Sequence, residues 1–256
     1  MIDAGGLEYA HARLFARNGE RPREADWQRI EVVRELAAAL DAASATRLRH
    51  LAAGITASQG AHDIEARLRG RWRALVAEVA SWMPREWHAS LAWCGTLVDL
   101  PALQYLARGG RALPWMREDP VYRELCVDDL AARTTALLAS PLAPLAVAGS
   151  ASERYFAAWR AEWVRRLPRQ RLADAPLLER LATMLEQHLA AFASAAAGDG
   201  WPLRRTLQAR LTTLFRRAML DPAAAFAFLA LFALDIERLR GELVRRAAFP
   251  RSLLAA

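Results

Sequence analysis

The sequence contains no lysine, so arginine supplies all 35 of its basic side chains. An absence this complete is typical of a codon preference across a genome, which makes the arginine content weak support for a nucleic-acid partner. Against 28 acidic residues, the arginines leave a net charge of +7. That excess fits a solvated surface, an acidic protein partner or an anionic membrane surface. The densest basic patch comprises Arg165, Arg166, Arg169 and Arg171.

Cysteine is almost absent as well. The two cysteines, Cys94 and Cys126, form neither a metal-spaced pair nor a disulfide framework, which favours a reducing compartment. The N-terminus, MIDAGGLEY, lacks the basic and apolar regions of a signal peptide. No apolar run reaches the roughly 20 residues that a membrane span needs. The sequence therefore predicts a cytoplasmic protein without a membrane span.

Motifs of catalysis are missing too. The five histidines form no HExxH pair, no glycine-rich loop precedes a lysine, and no serine lies in GxSxG. One acidic pair, Asp128-Asp129, is similar to part of the metal-binding motif of helical prenyl-chain enzymes, but the third acid of that motif is missing. The prediction is a protein that is not an enzyme and has no cofactor, catalytic residue or metal site.

Alanine and leucine dominate what is present, and 54% of the residues are hydrophobic. Strand-forming residues are scarce, with only five isoleucines by count, and no useful period-two run occurs. The sequence predicts an all-α fold of about nine to eleven helices. The spacing of apolar residues predicts helices at 7–17, at 27–40 with Asp26 as its cap, at 62–83, and at 119–139.

The nine tryptophans divide into two groups. Trp72, Trp82, Trp159 and Trp163 recur on apolar helix faces and are predicted to be core residues. Trp115 and Trp201 are predicted to lie in loops, as exposed contact residues.

The stretch Asp221–Phe249 predicts one long helix. Asp221 can cap its start, and Pro222 suits a first helical position because its missing N–H is not needed there. The 13 residues from Pro222 to Leu234 carry no charge, whereas the segment from Asp235 to Arg246 is rich in charge and keeps one apolar stripe. The helix is therefore expected to begin inside a core and to end at a surface.

Two features concern organisation. Residues 141–150 hold two prolines and a glycine, which predicts a connection between two helical units, 1–140 and 151–256, of a single domain. Residues 97–103 and 233–239 share a pattern of two apolar residues, an aspartate, an apolar residue and, three positions later, a leucine. This similarity favours an internal repeat.

Three stretches together give the chain a resemblance to the C-type connector family of V-type and archaeal-type rotary ATPases, whose eukaryotic members are the d-type subunits. They are Tyr9–Leu14 (YAHARL), Asp99–Arg108 (DLPALQYLAR) and the pattern from Asp221-Pro222 to Arg246. Three asparagines common in the family are replaced here, by His11, Ala102 and Arg238. The resemblance does not extend through residues 112–200.

The resemblance implies similar helical units around a funnel-like hollow, in a shortened member. It implies a non-catalytic connector, peripheral on the cytoplasmic face of the membrane, which joins the central-shaft subunits of a rotary ATPase to its membrane proteolipid ring. The motif positions that it implicates in these contacts are Tyr9, Arg13, Asp99, Leu103, Arg108, Asp221, Pro222, Asp235, Glu237, Leu239, Arg240, Arg245 and Arg246.

Three alternatives stay open. The chain could be a helical adaptor of another complex, a metal-dependent lipid or isoprenoid enzyme that uses Asp128 and Asp129, or a nucleic-acid binder.

Overall fold

The structure, a computed structural model, describes residues 4–149, 151, 154–168, 175–196 and 198–249. Within those ranges it is all-α and has no strand, which confirms the predicted fold class. The α-helices are α1 (Ala4–Gly19), α2 (Glu24–Glu31), α3 (Leu36–Ser44), α4 (Arg49–Ala52), α5 (Ala61–Trp82), α6 (His88–Cys94), α7 (Leu100–Ala107), α8 (Pro114–Glu118), α9 (Leu130–Leu138), α10 (Arg154–Arg166), α11 (Pro176–Ser194), α12 (Gly200–Arg217) and α13 (Ala223–Ala248). Short 3-10 helices lie at Arg85–Trp87, Gly95–Asp99, Arg123–Leu125 and Ala143–Ala148.

The helical chain forms two compact units. The terminal unit combines Met1–His88 with Pro168–Ala256, and the central unit is Ala89–Leu167. This division differs from the predicted one at 141–150. The prolines of that segment do not make it a connection, because Ala143–Ala148 forms a 3-10 helix whose Leu145 and Ala148 are buried. That helix packs against α9 and α10 inside the central unit.

Helix α13 is the centre of the terminal unit. It packs against α1, α3, α5, α11 and α12, and its first seven residues, from Ala223 to Leu229, are all buried. A helix that is apolar on every side is expected to be surrounded by others. The prediction of a helix that starts in a core is confirmed.

The predicted helix 27–40 is wrong, because α2 ends at Glu31 and α3 begins at Leu36. The arginine at position 246 explains the break. Its Nη2 donates to the carbonyls of Ile30 and Val33 at 2.9 Å and 2.7 Å. A guanidinium at these carbonyls replaces the amide donors that would continue the helix. The predicted cap, Asp26, lies inside α2 and accepts a hydrogen bond from the Arg23 amide at 2.8 Å.

The predicted helix 119–139 is also wrong. Asp119 ends α8 and forms a turn, in which its Oδ1 accepts a hydrogen bond from the Val121 amide at 2.9 Å. Tyr122 is then fully buried, and its hydroxyl donates to Asp99 Oδ1 at 2.5 Å. The chain therefore bends towards Asp99, and α9 starts later, at Leu130, with Asp129 as its cap.

The tryptophans behave largely as predicted. Trp72, Trp82, Trp159 and Trp163 are buried. In the central unit, Trp93 Nε1 donates to the Trp159 carbonyl at 3.0 Å, and Trp159 Nε1 donates to the Trp93 carbonyl at 3.3 Å. These reciprocal hydrogen bonds join α6 to α10.

Candidate functional site

The charged half of α13, from Asp235 to Arg246, is the candidate site. Asp235 lies in the interior of the terminal unit, with a side chain that is 4% exposed. Arg21, just after α1, donates Nε to Asp235 Oδ2 at 2.7 Å and Nη2 to Oδ1 at 3.0 Å. The planar guanidinium matches the two carboxylate oxygens. Burial raises the pKa of the Asp235 carboxyl, and this effect exceeds the lowering by the charges of Arg21 and Arg238.

Arg238, one helical turn further on, is held by two carboxylates of α2. It donates Nη1 and Nη2 to the two oxygens of Glu24 at 2.9 Å and 2.8 Å, and Nη2 also donates to Glu31 at 2.6 Å. The hydrogen bond from Arg238 lowers the pKa of Glu24 despite partial burial of that carboxyl. Asp235 and Arg238 thus attach α13 to the N-terminal segment of the chain.

Aromatic rings and guanidinium groups alternate beside this pair of helices. Arg238 lies 4.7 Å from the ring centroid of Trp27 and 5.8 Å from that of Trp201. Arg204 lies 5.2 Å from Trp201 and 4.7 Å from Phe192. We call these five side chains the cation–π ladder, since each cation contacts two ring faces. Trp201 is 39% exposed, as predicted, although it lies in α12 and not in a loop.

The other motif positions of α13 differ in exposure. Leu239 is fully buried, and Arg246, 5% exposed, is bound to the end of α2. Arg240 donates Nε to Glu65 Oε1 at 2.9 Å and remains half exposed. Glu237 and Arg245 are exposed, with Arg245 at 3.4 Å from Glu242. Only part of the charged half is therefore accessible to a partner.

The N-terminal motif positions and the start of α13 belong to the same unit. Tyr9 is 55% exposed on α1, and the Arg13 guanidinium lies 5.1 Å from the ring centroid of Trp82. Asp221 Oδ1 accepts a hydrogen bond from the Ala223 amide at 2.7 Å, directly before α13, and Pro222 precedes the first helical residue. Asp221 and Pro222 thus fix the start of the helix.

The remaining motif positions lie in the central unit. Asp99 is 2% exposed and accepts the Tyr122 hydrogen bond, Leu103 is buried, and Arg108 is exposed at the end of α7. Asp99 ends a 3-10 helix, whereas Asp235 lies in the middle of α13. The two aspartates of the predicted repeat are both buried, but their local structures and partners differ.

Two buried arginines were not predicted from the sequence. Arg21 is the partner of Asp235, 214 positions away in sequence. Arg133 is 7% exposed and donates to the carbonyls of Leu106 at 2.6 Å and Val127 at 2.6 Å. Neither has a local signal, because an arginine that binds distant carbonyls looks like any other arginine in the sequence.

The basic patch and the acidic pair have local structural roles. Glu162 accepts hydrogen bonds from Arg165 at 2.6 Å and from Arg166 at 2.7 Å, and Arg169 and Arg171 lie outside the described residues. Asp129 accepts a hydrogen bond from the Ala132 amide at 2.7 Å as the cap of α9. Trp115 is half-buried in α8 against Tyr122, at 5.5 Å between ring centroids, so its predicted exposure in a loop is wrong.

Within the described ranges, no group of three or more His, Cys, Asp or Glu residues could hold a metal ion. Burial raises the pKa of the Cys94 thiol to about 12. No helix in that part of the chain is both long enough and apolar enough to cross a membrane. Comparisons of the chain with protein-family models, curated proteins and solved structures give no match.

Proposed function

We propose that the protein is a non-catalytic connector of a V-type rotary ATPase. It would lie on the cytoplasmic face of the membrane and join the central-shaft subunits to the proteolipid ring. The observation that carries this proposal is the meeting of the two ends of the chain. Helix α1, with Tyr9 and Arg13, packs against α13, and the two stretches of the resemblance thereby form one unit.

A connector that transmits torque needs stiffness. Helix α13 has 26 residues and is therefore about 39 Å long. Its first half is enclosed by other helices, and its second half is bound to Arg21, Glu24 and Glu65 through ion pairs. These contacts along its length oppose bending, which supports a mechanical role.

The exposed motif positions are the proposed contact residues. In the terminal unit these are Tyr9, Arg13, Glu237 and Arg245, with part of Arg240. The buried motif positions, Asp235, Leu239 and Arg246, would instead keep the surface in shape. Partner binding and folding are therefore assigned to different residues of the same helix.

Binding of the purified chain to the shaft subunits and to the proteolipid ring of its own ATPase tests this proposal. Biolayer interferometry at low salt should detect binding to both, and Arg245→Glu should weaken at least one of the two interactions by about tenfold. Arg34→Glu is the matched control, because Arg34 is an exposed arginine of the same unit outside the motifs. The control should bind like the wild type.

Two results would count against the connector. One is an absence of binding to shaft and ring by a folded wild-type chain, which would favour an adaptor of another complex. The other is an equal loss of binding in Arg34→Glu and Arg245→Glu, since that would reveal only a general effect of net charge.

A further inference from the structure

A cleft in the terminal unit is lined by four arginines, Arg17, Arg21, Arg47 and Arg71. Its volume is about 200 Å³, and its lining also includes the apolar side chains of Leu51, Leu75 and Phe232. A cleft of this size that combines cations with apolar surface has the general character of a small-molecule site.

Two of the four arginines are neutralised by carboxylates. Arg21 forms its ion pair with Asp235 at 2.7 Å. Arg17 lies 2.8 Å from Glu20 and 3.2 Å from Glu78, and both of these glutamates line the cleft. These two arginines therefore contribute no excess charge.

Arg47 and Arg71 are held only by backbone carbonyls. Arg47 Nη1 donates to the Gly19 carbonyl at the end of α1 at 2.5 Å and lies 3.5 Å from the Arg21 carbonyl, while Arg71 Nη2 donates to the Ala53 carbonyl after α4 at 2.8 Å. Neither forms an ion pair with a carboxylate of the described chain. These hydrogen bonds cap helix C-termini, which is a structural role, but they use one terminal nitrogen of each group.

The remaining donors are available to a ligand. A guanidinium has five N–H donors, so Nε and the second terminal nitrogen of Arg47 and of Arg71 stay free. The carbonyl contacts restrict both groups without neutralising them. Four arginines against Glu20, Glu78 and Asp235 leave one positive charge at the cleft, and His50 adds another when it is protonated.

We propose that this cleft binds a small phosphate-bearing molecule, whose phosphate is held by Arg47 and Arg71 and whose apolar part contacts Leu51, Leu75 and Phe232. A phosphate has enough oxygens to accept hydrogen bonds from two guanidinium groups at once, which favours it over a single carboxylate. The site does not depend on the rotary-ATPase role.

Calorimetric titration of the full chain with inorganic phosphate, at constant ionic strength, tests the site. Wild-type protein should show saturable binding, and Arg47→Gln and Arg71→Gln should each weaken it by about tenfold. Arg67→Gln is the control, since Arg67 is exposed on α5 one turn before Arg71 and does not line the cleft. It should bind like the wild type.

A second variant separates ligand binding from folding. Glu78→Gln removes a negative charge from the cleft, and it should tighten phosphate binding by about two- to fivefold. A variant that is merely destabilised cannot produce this gain. Phosphate also stabilises proteins without specific binding, but that effect is shared by all variants.

Three outcomes would overturn the proposal. They are the absence of saturable binding to the wild type, equal weakening by Arg67→Gln and Arg71→Gln, and binding of succinate as tight as that of phosphate. The last would assign the cleft to carboxylates.

Discussion

Arginine carries most of the polar chemistry of this protein at the scale of single residues. Arg246 and Arg133 are 5% and 7% exposed, and the carbonyls that they contact would otherwise lack partners at helix ends and bends. A guanidinium can serve several carbonyls or both oxygens of one carboxylate, because its donors are fixed in a plane. The buried arginines therefore join segments that are remote in sequence.

The buried pair of Arg21 and Asp235 gives the first prediction. Asp235→Asn leaves the Arg21 charge buried without its counter-ion, so we expect a loss of about 3–5 kcal/mol in the free energy of unfolding. The double variant Arg21→Met/Asp235→Leu should recover most of that loss, because it removes both charges. Urea denaturation measures both effects.

The control for this prediction is the exposed pair of Arg17 and Glu20, whose side chains are 37% and 55% exposed. Solvent screens such a pair, so Glu20→Gln should cost less than about 1 kcal/mol. Similar losses in Asp235→Asn and Glu20→Gln would contradict the assignment of Asp235 to the core.

Glu162 gives a prediction of pH dependence. The hydrogen bond from Arg165 lowers the pKa of Glu162 below its ordinary value of 4.5, despite the opposing effect of burial. A depressed folded-state pKa means that the stabilisation is complete above the unfolded-state pKa and is lost as pH falls through the folded-state value. In wild type, the stability of the central unit should therefore fall from about pH 5 downwards.

Glu162→Gln provides the comparison, measured by urea denaturation at a series of pH values. The difference in stability between wild type and variant should be largest near neutral pH and should shrink as the medium becomes acidic. A difference that stays constant with pH would show that the ionisation of Glu162 does not contribute.

At the scale of elements, helix ends decide where the chain turns. Helix α2 stops where Arg246 reaches its carbonyls, α9 begins where Asp129 accepts the Ala132 amide, and α13 begins after Asp221. Asp129 and Asp221 are visible in the sequence as capping residues. Arg246 is not, since its partner carbonyls lie on a distant helix.

The cap of α9 gives a prediction at this scale. Asp129→Ala should lower the free energy of unfolding by about 1 kcal/mol, because the Ala132 amide loses its acceptor. Asp128→Ala is the matched control: Asp128 is exposed next to the cap. Thermal unfolding should distinguish the two variants, and an equal effect of both would contradict the capping role.

At the scale of the whole molecule, the terminal unit is built from both ends of the chain. The helices before residue 89 pack against those after residue 167, with Phe228 of α13 fully buried among them. The central unit has its own core, which includes Leu91, Tyr122, Leu145 and Trp159.

Phe228→Ala tests this arrangement. The cavity should cost about 3–5 kcal/mol, and hydrogen exchange should show that amides of α5 and of α12 lose protection together, because both helices share the core around α13. Phe249→Ala is the control, since Phe249 is 74% exposed. Loss of protection in the C-terminal helices alone would contradict a core shared by both ends.

The sequence by itself determined the fold class, the helices α1 and α5 to within about three residues, and the change in α13 from an apolar to a charged half. These properties follow from local composition and from the spacing of apolar residues. It also predicted the exposure of Trp201 and the start of the C-terminal helix at Asp221-Pro222. Each depends on neighbours within a few positions.

Only the tertiary structure decided which charged residues are buried and where long helices break. Asp235 and Glu237 are two positions apart, yet the first is bound to Arg21 in the interior and the second is exposed. The stop at Glu31, the bend at Tyr122 and the four arginines of the cleft likewise depend on contacts between distant segments. A sequence pattern records the face on which a residue lies, but the partner of that residue is fixed only when the helices pack.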